Sequence, residues 1–113
     1  MVTGIFVPSK GEPQLREFRG LSDYQRAVGG LIEAVEVAAL GITVYVNEEG
    51  LLRQLPSNIL VTLLCLKWSP ELGPRSELVG NAVIVGSPDA SGAATDVPAS
   101  VPSLLAAMRP EVQ

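Results

Sequence analysis

The stretch Ile42 to Val46 most narrows what this chain can become, because its side chains alternate in character along its whole length. Ile42, Val44 and Val46 project to one face of a strand and Thr43 and Tyr45 to the other. Gly41 precedes it. Asn47-Glu48-Glu49-Gly50 follows, with Asn where a turn opens and Gly where a positive φ is needed. A sheet with a buried face is therefore required, and other segments extend it. Thr3 to Pro8 is an apolar opening strand, Lys10-Gly11-Glu12-Pro13 a turn, and Gln14 to Arg19 the returning strand. Leu31 to Ala38 is β-branched enough for a strand, with Glu33 and Glu36 on opposite faces. Leu51 to Leu55 reads as a short strand or bend. Leu78 to Gly86 is a further strand, with Gly80-Asn81 a bulge or tight turn at its start. The hairpins 3–19 and 31–46 leave no room for crossover helices, so the pairing is antiparallel.

Helices fill the gaps. Ser22 is placed to cap a helix over Asp23 to Val28, with Gln25 reaching back to the cap N–H. Gly29-Gly30 stops it, since glycine accepts the left-handed conformation of helix ends. This glycine pair follows a helix and precedes a strand, the reverse of a dinucleotide-binding loop. The run Ile59 to Leu66 is apolar almost throughout, so periodicity does not decide it. Ser57 or Asn58 before it supplies an N-cap, which favours a buried helix from Ile59 to Lys67. A central strand is the alternative. Trp68-Ser69-Pro70 ends the element, and Glu71 to Glu77 is a loop. Ser87 to Ser100 reads as a mobile connector and Val101 to Met108 as a short helix with Pro102 in its first turn, while Arg109 to Gln113 frays. The expected fold is α+β: one small domain with a mostly antiparallel sheet of about five strands and two or three short helices. Its core is expected in residues 1–86, with a flexible connector and C-terminal helix in 87–113.

Charged residues are 18% of the 113, below the ~25% usual for soluble domains. That shortage leaves apolar surface for a partner to cover, and a homo-oligomer is expected. The net charge is -4, with the basic residues scattered, which argues against general nucleic-acid binding. A small anion needs only two Arg and some backbone N–H groups. The single Cys65 lies inside the apolar run and reads as a small buried hydrophobe in a reducing compartment. Met1 to Arg19 has no signal-peptide core, and no apolar run is long enough to cross a bilayer, so a cytoplasmic protein without membrane contact is expected.

The chain has no histidine, which removes Ser-His-Asp and Cys-His catalysis and the commonest zinc ligand. It has neither a GxxxxGK[ST] nor a GxGxxG loop. Carboxylates remain as acid/base candidates, but Glu48 and Glu49 are adjacent on an exposed turn, where side chains are normally solvated, and Glu33 and Glu36 lie on a strand; a catalytic pair would need burial. No catalytic residue, cofactor or metal ligand is expected, and the protein reads as non-enzymatic. The binding-surface candidates are Tyr45, Asn47, Glu48, Arg53, Asn58, Arg26 and Trp68. Asn47 most simply closes a turn and Asn58 caps a helix. Tyr45, on the outer sheet face, can form a recognition patch with Arg53. Arg26 sits on a short solvated helix, and Trp68 at an element end suits an interface.

The succession VGGLIEAVEV, VYVNEEGLLRQLPSN and ELVGNAVIVG resembles a family of short uncharacterised proteins of bacteriophages, plasmids and actinobacterial genomes, a domain of unknown function. Its motifs fall on Val28 to Glu33, Asn47 to Gly50, Leu55 to Asn58 and Val79 to Val83. The likeness spans residues 3–86 and departs from the family pattern between Ile59 and Glu77. It implies a mobile-element origin and a protein that binds a host protein in the bacterial cytoplasm. The alternative is a protein that sequesters an anionic nucleotide or metabolite, as a homo-oligomer.

Overall fold

The computed structural model describes residues 1–108, of which 74–76 by backbone alone; the fraying expected for 109–113 lies outside the described residues. Among these, the elements run β1 (Val2–Val7), β2 (Gln14–Phe18), α1 (Leu21–Val28), β3 (Ile32–Val37), β4 (Ile42–Asn47), α2 (Ile59–Trp68), β5 (Ala82–Gly86) and α3 (Ser100–Met108). Short 3-10 segments occupy Ala38–Leu40 and Pro70–Ser76, the second kinked at Gly73. The five strands form one antiparallel sheet in the order β2-β1-β5-β4-β3.

Two hairpins, β1–β2 and β3–β4, are thus joined by β5, which enters between β1 and β4. A strand in that central place has neighbours on both edges and layers on both faces. All five of its residues are accordingly buried, which is why its sequence, AVIVG, carries no polar side chain.

Both faces of the sheet are covered. Ile42, Val44 and Val46 of β4 join Ile5, Val7, Val35, Val37 and Ile84 beneath α2 and α3, which contribute Val61, Leu64, Cys65, Val101 and Leu105. The opposite face carries a smaller core of Phe18, Val83 and Val85 closed by Tyr24 and Val28 of α1, with Tyr45 packed at its margin. The fold is α+β in three layers.

α1 begins earlier than expected. Gly20 is its N-cap and makes no side-chain cap, so Ser22 lies within the first turn. Asp23, one position on, reaches back and accepts the Arg19 N–H at 2.8 Å, tying the residue before the N-cap to the first turn. Gly29 ends the helix in the left-handed region (φ 81) with its N–H on the Gln25 carbonyl. For 59–68, helix rather than strand is found: Asn58 is the N-cap and its side chain accepts from the Val61 N–H. The helix is buried on one side only. Ile59, Leu63 and Leu66 remain 59%, 38% and 51% exposed.

Two segments read as extended or mobile take other forms, and at Leu51 to Leu55 the bend, not the strand, is found. Leu51 to Leu55 is a tight turn, with the Arg53 N–H on the Glu49 carbonyl and Gln54 at φ 55, so its alternation never meets a partner strand. Leu78 and Val79 precede β5 instead of extending it, because Gly80 at φ 79 turns the chain between them. Residues 87–99 are tied down. The Gly86 N–H donates to the Thr95 carbonyl, the Val97 N–H to the Thr3 carbonyl, and Asp89 accepts from the Ser91 and Ala93 N–H groups. Since Val97, Val101 and Leu105 pack into the main core, a boundary at residue 86 falls inside the packed domain. Among the described residues no helix is long and apolar enough to cross a membrane.

Candidate binding site

The residues singled out from sequence do not converge. Asn58 and Asn47 are internal joints. Asn58 is buried, and its amide donates to the carbonyls of Val7 and Gly80, each at 2.9 Å, while it caps α2. It thereby pins the end of β1, the lead into β5 and the start of α2 at one point. Asn47, also buried, donates to the Val28 carbonyl at 3.1 Å and accepts from the Glu49 N–H at 2.8 Å, fastening the last turn of α1 to the turn after β4. The space for this is supplied by Gly30, where a Cβ would stand 2.9 Å from the Asn47 amide nitrogen.

Tyr45 is on the face opposite Ile42, Val44 and Val46, as its alternation requires, but α1 covers that face. Its ring lies 4.7 Å from that of Tyr24, which in turn stacks on Phe18 at 5.2 Å. Burial raises both tyrosine hydroxyls above their ordinary pKa of 10.0. The half-buried Tyr45 ring packs against α1, while the exposed Arg53 donates to the Gly29 carbonyl at the helix end. That position suits a cation, since helix C-termini carry partial negative charge. Trp68 packs against the main core, with the Lys67 ammonium 5.1 Å from its ring centre. Glu48 borders a cleft of about 420 Å³ together with Glu33, Glu36, Glu77 and Asn47. Among the described residues these carboxylates form no group of three able to hold a metal ion.

Arg26 leads to a second concavity, and its companions there were not picked out from sequence. In the β1–β2 hairpin Val2 faces Phe18, Gly4 faces Arg16 and Phe6 faces Gln14. The even-numbered side chains of both strands therefore share the α1 face. Arg16 lies with its guanidinium carbon 4.1 Å from the centre of the Phe6 ring, held there by donating from Nε and Nη2 to Gln14 Oε1 at 3.2 and 2.8 Å. The chain turns straight from β2 into α1, which brings Arg19 and Arg26 to the same rim. Asp23 stands between them, accepting from Arg19 Nε at 3.5 Å and Arg26 Nη1 at 3.3 Å. The Arg19 backbone N–H, aided by the two guanidiniums, holds the Asp23 carboxyl below its ordinary 3.8.

The resulting groove measures about 450 Å³ and is completed by Phe18, Ala27 and Asn81. Glu17 borders it too, but its carboxylate accepts from the Thr3 hydroxyl at 2.7 Å, on the other side of the pleat. Three guanidiniums thus outnumber the two carboxylates that border the groove, Asp23 and Glu17. This is a local positive field on a chain of net charge -4. Arg16, Arg19 and Arg26 follow no single period in sequence. Only the hairpin register and the β2–α1 turn make them neighbours.

A family model described as Domain of unknown function (DUF3846) matches residues 2–108. No curated protein matches the chain, and no solved structure does.

Proposed function

The chain belongs to the family of that domain of unknown function, and from this premise we propose a non-enzymatic binding protein that occupies an acidic patch of a host protein. The observation that carries the reading is the convergence of Arg16, Arg19 and Arg26 on one groove. Guanidinium groups pair with carboxylates through two parallel hydrogen bonds, and a focused positive patch speeds encounter with an acidic surface. A phage or mobile-element setting and a cytoplasmic place belong to the same reading, and rest on the order of the sequence motifs and on Cys65 as a buried free thiol. Self-association belongs to it as well, supported by the exposed Ile59, Leu63 and Leu66 on α2.

A labelled oligo-glutamate peptide tests it by fluorescence anisotropy. Binding by the wild type should weaken as salt is added and disappear in the triple variant R16A/R19A/R26A; equal binding by that variant would refute the reading. The groove volume of about 450 Å³ also lies in the range of small-ligand sites, and so favours a second reading, an anionic nucleotide or metabolite. A nucleotide that raises the melting temperature of the wild type but not of the triple variant, with no oligo-glutamate bound, would select it.

A further inference from the structure

We infer that β2 takes an added strand, an extended peptide in which acidic and apolar side chains alternate. The inference rests on the acidic-partner reading above and supplies its binding mode. β2 is an edge of the sheet, paired with β1 on one side, and no described strand pairs its other side. In an antiparallel edge strand every second residue directs its N–H and C=O outward, a ready template for a further strand.

Edges are normally guarded by proline, by bulges or by charged side chains projecting across them. β2 contains no proline, and its register with β1 runs unbroken from Gln14 to Phe18. Its two charges lean the other way. Arg16 stacks back onto Phe6 of β1, and Glu17 accepts from Thr3 of β1. Both leave the outer backbone uncovered.

The two faces beside this edge then differ in chemistry. On the α1 side lies the groove of Arg16, Arg19 and Arg26. On the other side Leu15, 61% exposed, borders an apolar cleft of about 310 Å³ with Ile5, Pro13, Pro102 and Leu105. An added strand presents successive side chains to these two faces in turn. Carboxylates meet the guanidiniums on one side. On the other, the cleft is lined mainly by apolar residues, with Glu12 its one charged member, and apolar side chains fit. The opposite edge, β3, carries Glu33 and Glu36 and disfavours the same peptide.

Labelled peptides of one composition separate the possibilities on the unmodified protein: Glu and Val alternating, Glu and Val in two blocks, and two alternating versions N-methylated on odd or on even residues. Strand addition predicts that the alternating peptide binds at least about tenfold tighter than the blocked one, and that only one of the two methylated versions loses binding. The variants R16E and L15E should each lose the alternating peptide while keeping the wild-type circular dichroism spectrum. If alternating and blocked peptides bind alike and neither methylation matters, strand addition falls while the arginine groove survives. If neither they nor oligo-glutamate bind, both fall. Self-association that is abolished by R16E and not competed by the peptide would assign the edge to a second copy and overturn the peptide.

Discussion

Asn58 and Asn47 sit beside turns in the sequence and resemble surface residues there, yet both are consumed inside the fold. For Asn58 the consequence is measurable. Replacing it by alanine removes the donor from two carbonyls, those of Val7 and Gly80, and the acceptor from the first turn of α2. Each buried polar group left unpaired costs about 1–3 kcal/mol and a lost N-cap about 1 kcal/mol. Asn58→Ala should therefore lower stability by about 3 kcal/mol or more in urea denaturation, with the slope unchanged. Asn58→Asp should be worse at neutral pH, because it loses both donors and faces two carbonyls with a charge. Cys65 gives a second check at this scale. Burial pushes its thiol up to about 11, and the reactive form is the thiolate. The native protein should resist Ellman's reagent at pH 8 and react only as fast as it unfolds in urea; rapid labelling without denaturant would show that α2 opens locally.

α2 shows at the scale of an element what the sequence could and could not specify. ILVTLLCLKW is apolar on nearly every side, so no periodicity distinguishes its faces, and its helical state was legible only through the cap at Asn58. Which side packs is set by the sheet beneath. Val61, Leu64 and Cys65 are buried, and their neighbours Leu63 and Leu66 are not. The two adjacent leucines should separate sharply on substitution. Leu64→Ala, which leaves a cavity in the main core, should cost about 2–5 kcal/mol. Leu63→Gln should stay within about 0.5 kcal/mol in a monomer; a larger change that grows with protein concentration would place this face in a self-contact. Strands divide similarly. Ile42 to Val46 was readable because its alternation meets a sheet with two unlike faces. Leu51 to Leu55 and Leu78-Val79 had strand-like composition, but Gln54 and Gly80 adopt positive φ and turn the chain, and Val79 keeps only an isolated bridge to Ser57.

At the scale of the whole molecule, the hairpins were local and hence legible, whereas the central place of β5 and the grouping of Arg16, Arg19 and Arg26 depend on pairings and turns that leave no periodic mark. Two carboxylates hold the joints that such long-range order needs. Asp23 ties β2 to α1 through the Arg19 N–H, and Asp89 closes the turn that follows β5 through Ser91 and Ala93. Both are held below the ordinary 3.8, Asp23 chiefly by the Arg19 backbone N–H and Asp89 chiefly by the Ser91 hydroxyl. A carboxyl with a depressed folded pKa binds its proton more weakly in the folded state than in the unfolded one. Its stabilisation is thus complete above 3.8 and is lost as pH falls through the folded value. The melting temperature should accordingly be flat from neutral pH to about 5 and fall below about 4. In Asp23→Asn and Asp89→Asn the plateau should be lower and the acid fall shallower, each variant removing its own share, because the two joints lie on different connections and share no partner. A wild-type profile that both variants reproduce in parallel, merely shifted down, would mean that acid acts elsewhere and that neither joint governs how the sheet holds its layers.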